Sequence, residues 1–146
     1  MTNELLSAIS IALWNEFHSD TDFGDEMLIA KETVEQEMTP PCFTIRCLEP
    51  NTNPQLKGMI HTLHTFEVDF FPNKGNRQIN DVAERLDLIF EILEVTENIS
   101  YKCTNRNKVV SDGVLVMTFE IETYMSQSYE KEEEMEDINI ESPEVE

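Results

Sequence analysis

The sequence predicts one α+β domain, in which an antiparallel or mixed sheet of about five strands carries two main helices on one face. Two segments place apolar residues at helical spacing, and several others alternate apolar with polar residues. The predicted order is helix, three strands, helix, two strands, without an internal repeat. At 146 residues and 40% hydrophobic content, the chain is long and apolar enough to build a single packed core.

Both helices are predicted from apolar stripes. In the N-terminal segment the stripe recurs at every fourth position, at Leu5, Ile9, Leu13 and Phe17. Leu6 and Trp14 are expected to widen it, and Thr2 or Asn3 to cap its start. The second helix is predicted to begin at Asn80 as its N-cap, because a helical stripe follows at Val82, Leu86, Ile89, Phe90 and Leu93.

Five segments have the pattern of strands, at residues 27–30, 42–48, 59–71, 99–110 and 114–125. The alternation is clearest where Phe66, Val68 and Phe70 are interleaved with acids, which predicts one buried face and one wet face. Asp112-Gly113 predicts a tight turn that joins the last two strands in a hairpin. The polar segments at residues 49–58 and 72–79 are predicted loops.

The composition changes at residue 126. Residues 126–146 hold nine acids and one lysine, a local charge of −8 (1 − 9), which leaves −12 for the rest of the chain (−20 + 8). So little apolar surface cannot offset the entropy lost on ordering, so this segment is predicted to be a flexible acidic extension. The predicted domain therefore spans residues 1–125.

The net charge of −20, from 30 acids and 10 bases, argues against several classes of function. Binding to nucleic acid or to anionic membranes needs a basic surface. The chain has no run of about 18 apolar residues, so no membrane span is predicted. Its N-terminus has no basic region, so a signal peptide is not expected. The odd number of sparse cysteines, Cys42, Cys47 and Cys103, is typical of a reduced, cytoplasmic setting.

No metal site is predicted. Asp20, Asp22 and Asp25 resemble the start of a calcium loop, but an EF-hand needs Gly at position six and Glu at position twelve, where this chain has Asp25 and Lys31. His61 and His64 lie three apart in a predicted strand, so they point to opposite faces.

No catalytic residue or cofactor is predicted either. The three cysteines lack zinc-ligand spacing and a paired base. Glu67 and Asp69 share one strand face and could act as a carboxylate pair, but an acidic protein presents such pairs on any wet face. With four glycines in the chain, a glycine-rich phosphate loop is not expected.

A family resemblance rests on an ordered set of segments, at residues 34–36 (VEQ), 41–45 (PCFTI), 66–72 (FEVDFFP), 80–86 (NDVAERL) and 112–116 (DGVLV). In this order and spacing the chain resembles the small tail terminators of tailed phages and prophages, chiefly those of Gram-positive hosts. The likeness covers roughly Leu5 to Tyr124. Each segment is common by itself, and the specificity lies in their combination.

The resemblance implies a structural protein, not an enzyme, without cofactors. It implies a homo-oligomeric ring, a hexamer, that caps the tail tube at full length, ends its polymerisation and offers the surface that joins the head. The implied partners are the tail tube protein, the head–tail connector and, in contractile tails, the sheath protein. The implied location is the virion, after assembly in the host cytoplasm.

The bases suggest where the copies touch. Bases are rare in this chain and cluster near the predicted turns, so inter-subunit ion pairs are predicted for Lys57, Lys74, Arg77, Arg106 and Lys108. DNA is expected only as passing cargo, and a negatively charged ring lumen would repel its phosphates. The acidity serves solubility equally well.

Three other functions stay open at this point. Another phage neck or head-completion protein would share the size and the assembly logic. A small metal-dependent enzyme with hidden carboxylates would show a thermal shift with metal. An acidic DNA mimic would need surface acids at phosphate-like spacing and a basic host partner.

Overall fold

A computed structural model describes residues 1–20, 28–31, 39–55 and 58–126 of the chain. The elements in chain order are α1 (Thr2–Phe17), β1 (Leu28–Lys31), β2 (Cys42–Cys47), β3 (Asn51–Pro54), β4 (Met59–Phe71), α2 (Asn76–Ile89), β5 (Ile92–Thr96), β6 (Ile99–Lys102), β7 (Thr104–Ser111) and β8 (Val114–Ser126).

The larger sheet is mixed and has six strands. Its order is β1-β2-β4-β8-β7, with β3 paired to β4. The β1–β2 pair is parallel, whereas β2–β4, β3–β4 and β7–β8 are antiparallel. The strands β5 and β6 form a separate two-stranded antiparallel sheet. The predicted fold class, an α+β domain with an antiparallel or mixed sheet and two main helices, is confirmed.

The chain divides into two compact units. The first comprises residues 1–49 and 64–121, and the second comprises residues 50–63 and 122–146. In the described part of the second unit, β3 lies along β4 with Asn51 opposite Leu63 and Pro54 opposite Ile60. There His61 packs against the Tyr124 ring, with centroids 4.8 Å apart.

The core of the first unit is one apolar layer between the sheet and the helices. Alternate residues of β2, β4 and β8 are buried together with the inward stripes of α1 and α2. Aromatic rings link the layer: Phe43 lies 5.1 Å from Phe17 and 5.0 Å from Phe70, measured between ring centroids. Phe119 similarly contacts Phe66 and Phe90. The period-two pattern of the strands therefore dictates which face the helices cover.

The stripe of α1 is confirmed, with one correction. Its four members and Leu6 are fully or nearly fully buried. Trp14, however, is exposed and stacks on His18, whose Nδ1 lies 2.7 Å from the Trp14 carbonyl oxygen. Trp14 follows Leu13 by one residue, which turns it about 100° round the helix and away from the stripe.

The second helix begins earlier and ends earlier than predicted. It starts at Asn76, after Gly75 with φ of 83°, so Asn80 lies inside the helix and is not its cap. It ends at Ile89, and Leu93 belongs to β5, where it still reaches the core. Leu93 lies four positions after Ile89, so its apolar side chain fits the helical period in the sequence. The backbone nevertheless leaves the helix at Ile89, and Leu93 reaches the core from a strand.

Two strand predictions also need correction. Residues 51–54, predicted as loop, form the fully exposed strand β3. The predicted strand at 99–110 is two strands, because the chain turns at buried Cys103, whose backbone N–H donates to the Glu91 carbonyl oxygen. The turn at Asp112-Gly113 is confirmed as the link between β7 and β8, and both residues have positive φ.

Several predictions fall on residues outside the described ranges. They are the flexibility of the acidic extension, which concerns residues 127–146, and the loop acids Asp22 and Asp25. The domain boundary at residue 125 stays a prediction.

Arg85 of α2 ties the two helices together. Its guanidinium donates to the carboxylates of Glu16 at 2.9 Å and Asp20 at 2.7 Å, and it lies 4.3 Å above the centre of the Phe17 ring. It also donates to the Glu16 carbonyl oxygen and to Asp81. Only 22% of the side chain is exposed, so these bonds lie in a partly desolvated site where they are stronger than surface pairs.

We expect Arg85→Ala to lower the free energy of unfolding by about 2–3 kcal/mol, because it leaves several partly buried acceptors without their donor. Urea denaturation at pH 7 measures this. Arg46→Ala is the matched control: Arg46 pairs with Glu67 at 3.1 Å but is 55% exposed, so its loss should cost less than about 1 kcal/mol. Equal losses in the two variants would contradict the assignment.

Candidate assembly surfaces

The loop between β4 and α2 is held by Gln78. The side-chain oxygen of Gln78 accepts hydrogen bonds from the backbone N–H groups of Asn73 and Lys74, both at 2.9 Å. Its amide nitrogen donates to Asn73 Oδ1 at 3.0 Å. Because Gln78 itself is buried, the loop has a fixed shape before any partner binds.

This loop and the first turn of α2, which follows it, present two of the five predicted interface bases. The side chains of Lys74 and Arg77 are both exposed. The other described arginines are bonded within the chain: Arg46 and Arg85 to carboxylates, Arg106 to a carbonyl oxygen. Within the described ranges, the side chain of Arg77 makes no hydrogen bond or ion pair. An unpaired guanidinium in the first turn of a helix, beside a fixed loop, is a ready contact point for an acidic surface.

Arg106 and Lys108 lie on β7 and bind α2 of the same chain. Arg106 donates to the Asp87 carbonyl oxygen at 2.8 Å, and Lys108 donates to the Ala83 carbonyl oxygen and pairs with the Asp87 carboxylate. These cations compensate the negative end of the helix. Both side chains thus have a role within the fold, and their inter-subunit contacts stay a prediction. Lys57 lies outside the described residues.

A groove that sequence reasoning missed runs between α1 and β5. Two adjoining hollows of about 460 and 440 Å³ share Ala8, Ile11 and Glu94 in their lining. Ile11 and Ile92 stand in it 59% and 56% exposed. Ile11 lies on the opposite side of α1 from the buried stripe. An isoleucine on the solvent-exposed side of a helix was the feature of the sequence that could have indicated this groove.

The outer face of the sheet carries the predicted carboxylate pair. Glu67 and Asp69 lie on β4 opposite Arg46 and Thr44 of β2. Burial, together with the hydrogen bond and the charge of Glu67, raises the pKa of Asp69 to about 7, against the lowering effect of Arg46. One carboxyl oxygen of Asp69 is buried without a hydrogen-bond partner. The neighbouring Glu67 and the burial therefore favour a protonated Asp69 near neutral pH.

The chemistry of the remaining candidates is weak. Burial raises the pKa of the Cys103 thiol to about 11 despite Arg106, and burial also raises the pKa of Cys42, so both thiols are poor nucleophiles. Among the described residues, no group of three or more His, Cys, Asp or Glu side chains is placed to hold a metal ion. No described helix is long and apolar enough to cross a membrane.

Comparison with known proteins gives the chain its class. A family model described as "Phage tail terminator protein" matches residues 4–135, which include every described strand, all of α2 and all but the first two residues of α1. The protein is therefore a structural component of a phage tail, which places it in the virion among other tail components. The chain belongs to the phage tail terminator family, and the resemblance found in its sequence is confirmed.

Two further comparisons add little. A search of curated proteins found no match. One solved structure aligns over 87% of this chain and 96% of its own length, with 13% identity and a TM-score of 0.45.

Replacing Gln78 tests whether the loop is held in advance. We expect Gln78→Ala to lower the free energy of unfolding by about 2 kcal/mol, because three hydrogen bonds are lost in a partly buried site. Amide hydrogen exchange should speed up at Asn73 and Lys74. Asn80→Ala removes an exposed amide from the same helix and should change neither quantity appreciably.

The variant Asp69→Asn tests the raised pKa of the Asp69 carboxyl group on the outer face of the sheet. As pH rises, the unfolded chain releases the Asp69 proton at about pH 4, whereas the folded chain keeps it until about pH 7. Wild-type stability should therefore fall as pH rises from about 4 to about 7, and asparagine removes that loss. Since Asp69 is only half-buried, the expected gain at pH 8 is about 1 kcal/mol. At pH 3 urea denaturation should find no gain; an equal gain at both pH values contradicts the cause.

Proposed function

We propose that this chain forms a hexameric ring that caps the tail tube, ends its polymerisation and provides the surface to which the head joins. Membership of the tail terminator family supports a role at the end of the tail. The observation that supports the ring itself is the exposed Arg77 beside the fixed β4–α2 loop, in a chain of net charge −20. A cation that lacks an acidic partner in its own described chain is suited to an acidic surface on the next copy.

Head-to-tail contact is the arrangement that fits this loop. A contact between two different surfaces of the same chain repeats from copy to copy and closes into a ring when the rotation allows. Identical acidic copies repel one another at a distance, so the contact must bring opposite charges together locally. In the proposed ring, Arg77 is the inter-subunit base, with Lys74 beside it.

The two faces of such a ring must differ. One face has to complement the last ring of the tube, and the other must be unable to accept further tube subunits. This difference ends polymerisation and leaves a surface for the head–tail connector. DNA passes through the opening as cargo, and a lumen rich in acids would not retain it.

Charge reversal at Arg77 tests the ring. We expect Arg77→Glu to reduce the mass measured by light scattering from that of a ring towards that of a single chain, since the new acid repels the surface that Arg77 contacts. Arg77→Lys keeps the charge and should retain the ring. Lys131→Glu changes the net charge equally and should also retain it. An unchanged mass for Arg77→Glu would contradict this use of the loop.

Electron microscopy tests the cap. Purified tail tubes mixed with the protein should carry one ring at one end, and the capped tubes should stop lengthening when tube protein is added. A wild-type protein that stays a single chain at every concentration, or that leaves tube ends bare, would overturn the proposed function.

A further inference from the structure

The groove between α1 and β5 has a definite chemical character. Its lining includes the carboxylates Glu4, Glu16 and Glu94 and no base within the described part of the chain. Glu4 pairs with the N-terminal ammonium group and Glu16 with Arg85, so Glu94 is the carboxylate offered to a cation of a partner. Ile11 and Ile92 project into it more than half exposed. A groove that combines apolar side chains with a rim of acids suits an apolar segment that carries positive charge.

The strand β7 has the complementary character. It lies at the edge of the larger sheet and is paired with β8 on one side. Residues 104–111 contain two bases, Arg106 and Lys108, and no acid. Because the partner of Arg106 is a carbonyl oxygen, its positive charge is not neutralised there.

Two neighbouring valines make β7 an unusual edge. Val109 and Val110 are 50% and 54% exposed, and they point to opposite faces of the strand. A strand edge on a flat surface buries one face, whereas a strand edge laid in a groove buries both. Exposed apolar edges are aggregation hazards unless a partner covers them.

We propose that the α1–β5 groove of one copy receives the β7 edge of a second copy. This inference rests on the proposed ring, and it adds a second pair of touching surfaces to the contact made by Arg77. Val109 and Val110 of one copy pack against Ile11 and Ile92 of the next, and Arg106 faces Glu94. The two surfaces are different parts of the chain, so the contact is head-to-tail and repeats round the ring.

The choice of a second copy over another partner follows from charge. A chain of net charge −20 attracts many basic partners but repels itself, so self-contact requires a surface without excess negative charge. Residues 104–111 contain no acid, and the two carboxylates that bond to them, Asp87 and Glu120, are matched in number by Arg106 and Lys108. Both proposed surfaces lie in the first unit of the chain. Each copy therefore carries the donor edge and the receiving groove at once.

Disulfide cross-linking tests the contact directly. We expect the double variant Ile11→Cys with Val109→Cys, oxidised in dilute solution, to give a ladder of covalent oligomers up to the full ring. Leu88→Cys with Val109→Cys is the matched control and should give no ladder, because Leu88 is 75% exposed on α2 and does not line the groove. A dimer from Val109→Cys by itself would show edges paired symmetrically and would overturn the proposal.

A charge variant on the groove surface tests the contact a second time without altering the core. Glu94→Lys should weaken self-association at least tenfold in sedimentation, with an unchanged melting temperature, because Glu94 is exposed. Glu97→Lys makes the same charge change on the β5–β6 hairpin outside the groove and should leave association unchanged.

The outcomes separate this inference from the proposed function. If the wild type forms rings but neither the cysteine pair nor Glu94→Lys has its expected effect, the ring stands and this contact is wrong. Should the oxidised cysteine pair stay unlinked while a basic apolar peptide from the tube protein binds the groove, the occupant is the tube and not a second copy. If the wild type never self-associates, both proposals fail.

Discussion

The fold depends on one constraint, which is that the inward faces of β2, β4 and β8 must be covered by both helices. Side chains alternate strictly along a strand, so β4 and β8 each present a dry face to the same layer. The buried stripes of both helices lie in this layer. The rings of Phe43 and Phe119 bridge the layer, the first toward α1 through Phe17 and the second toward Phe90.

Charge imposes a second constraint on this layer. The chain has three acids for each base, and the fold uses several of its cations where helices meet or end. Arg85 joins α1 to α2, while Arg106 and Lys108 bind the carbonyl groups late in α2. The charges of Arg85 and Lys108 are matched by carboxylates, whereas Arg106 meets a carbonyl oxygen and keeps its charge for a second copy. The side chain of Arg77, which has no partner in the described fold, tests self-contact without disturbing the packing.

Much of the fold could be predicted from local patterns, and the errors have a common cause. The stripe of α1 and the turn at Asp112-Gly113 depend on residues close in sequence, and both are present. The start of α2 depends on Gln78 reaching back to the loop, and the break at Cys103 on a bond to Glu91. Neither hydrogen bond produces a periodic pattern of apolar residues in the sequence. The strand β3 was missed because an exposed, Asn- and Pro-rich strand has no apolar alternation to reveal it.

The same limit applies to the candidate surfaces. The rarity of bases predicts contacts near the β4–α2 loop and on β7, and these contacts stay predictions. The sequence could not show that α2 already binds Arg106 and Lys108. The α1–β5 groove was missed because it is formed by elements about 80 residues apart in the chain. An isoleucine such as Ile11 on a wet helix face carries meaning only when its neighbour across the groove is known.

Rigidity links the fold to assembly. Association costs conformational entropy for every loop and side chain that becomes ordered at the contact, so surfaces that are fixed in advance bind more tightly for the same area. The β4–α2 loop is fixed by Gln78, and the walls of the α1–β5 groove are fixed because α1 and β5 both insert side chains in the core. In the proposed ring, each copy must bind its neighbours in one arrangement only. Surfaces supported by the core meet that requirement, since they cannot adapt to a wrong partner without disturbing the packing that holds the domain together.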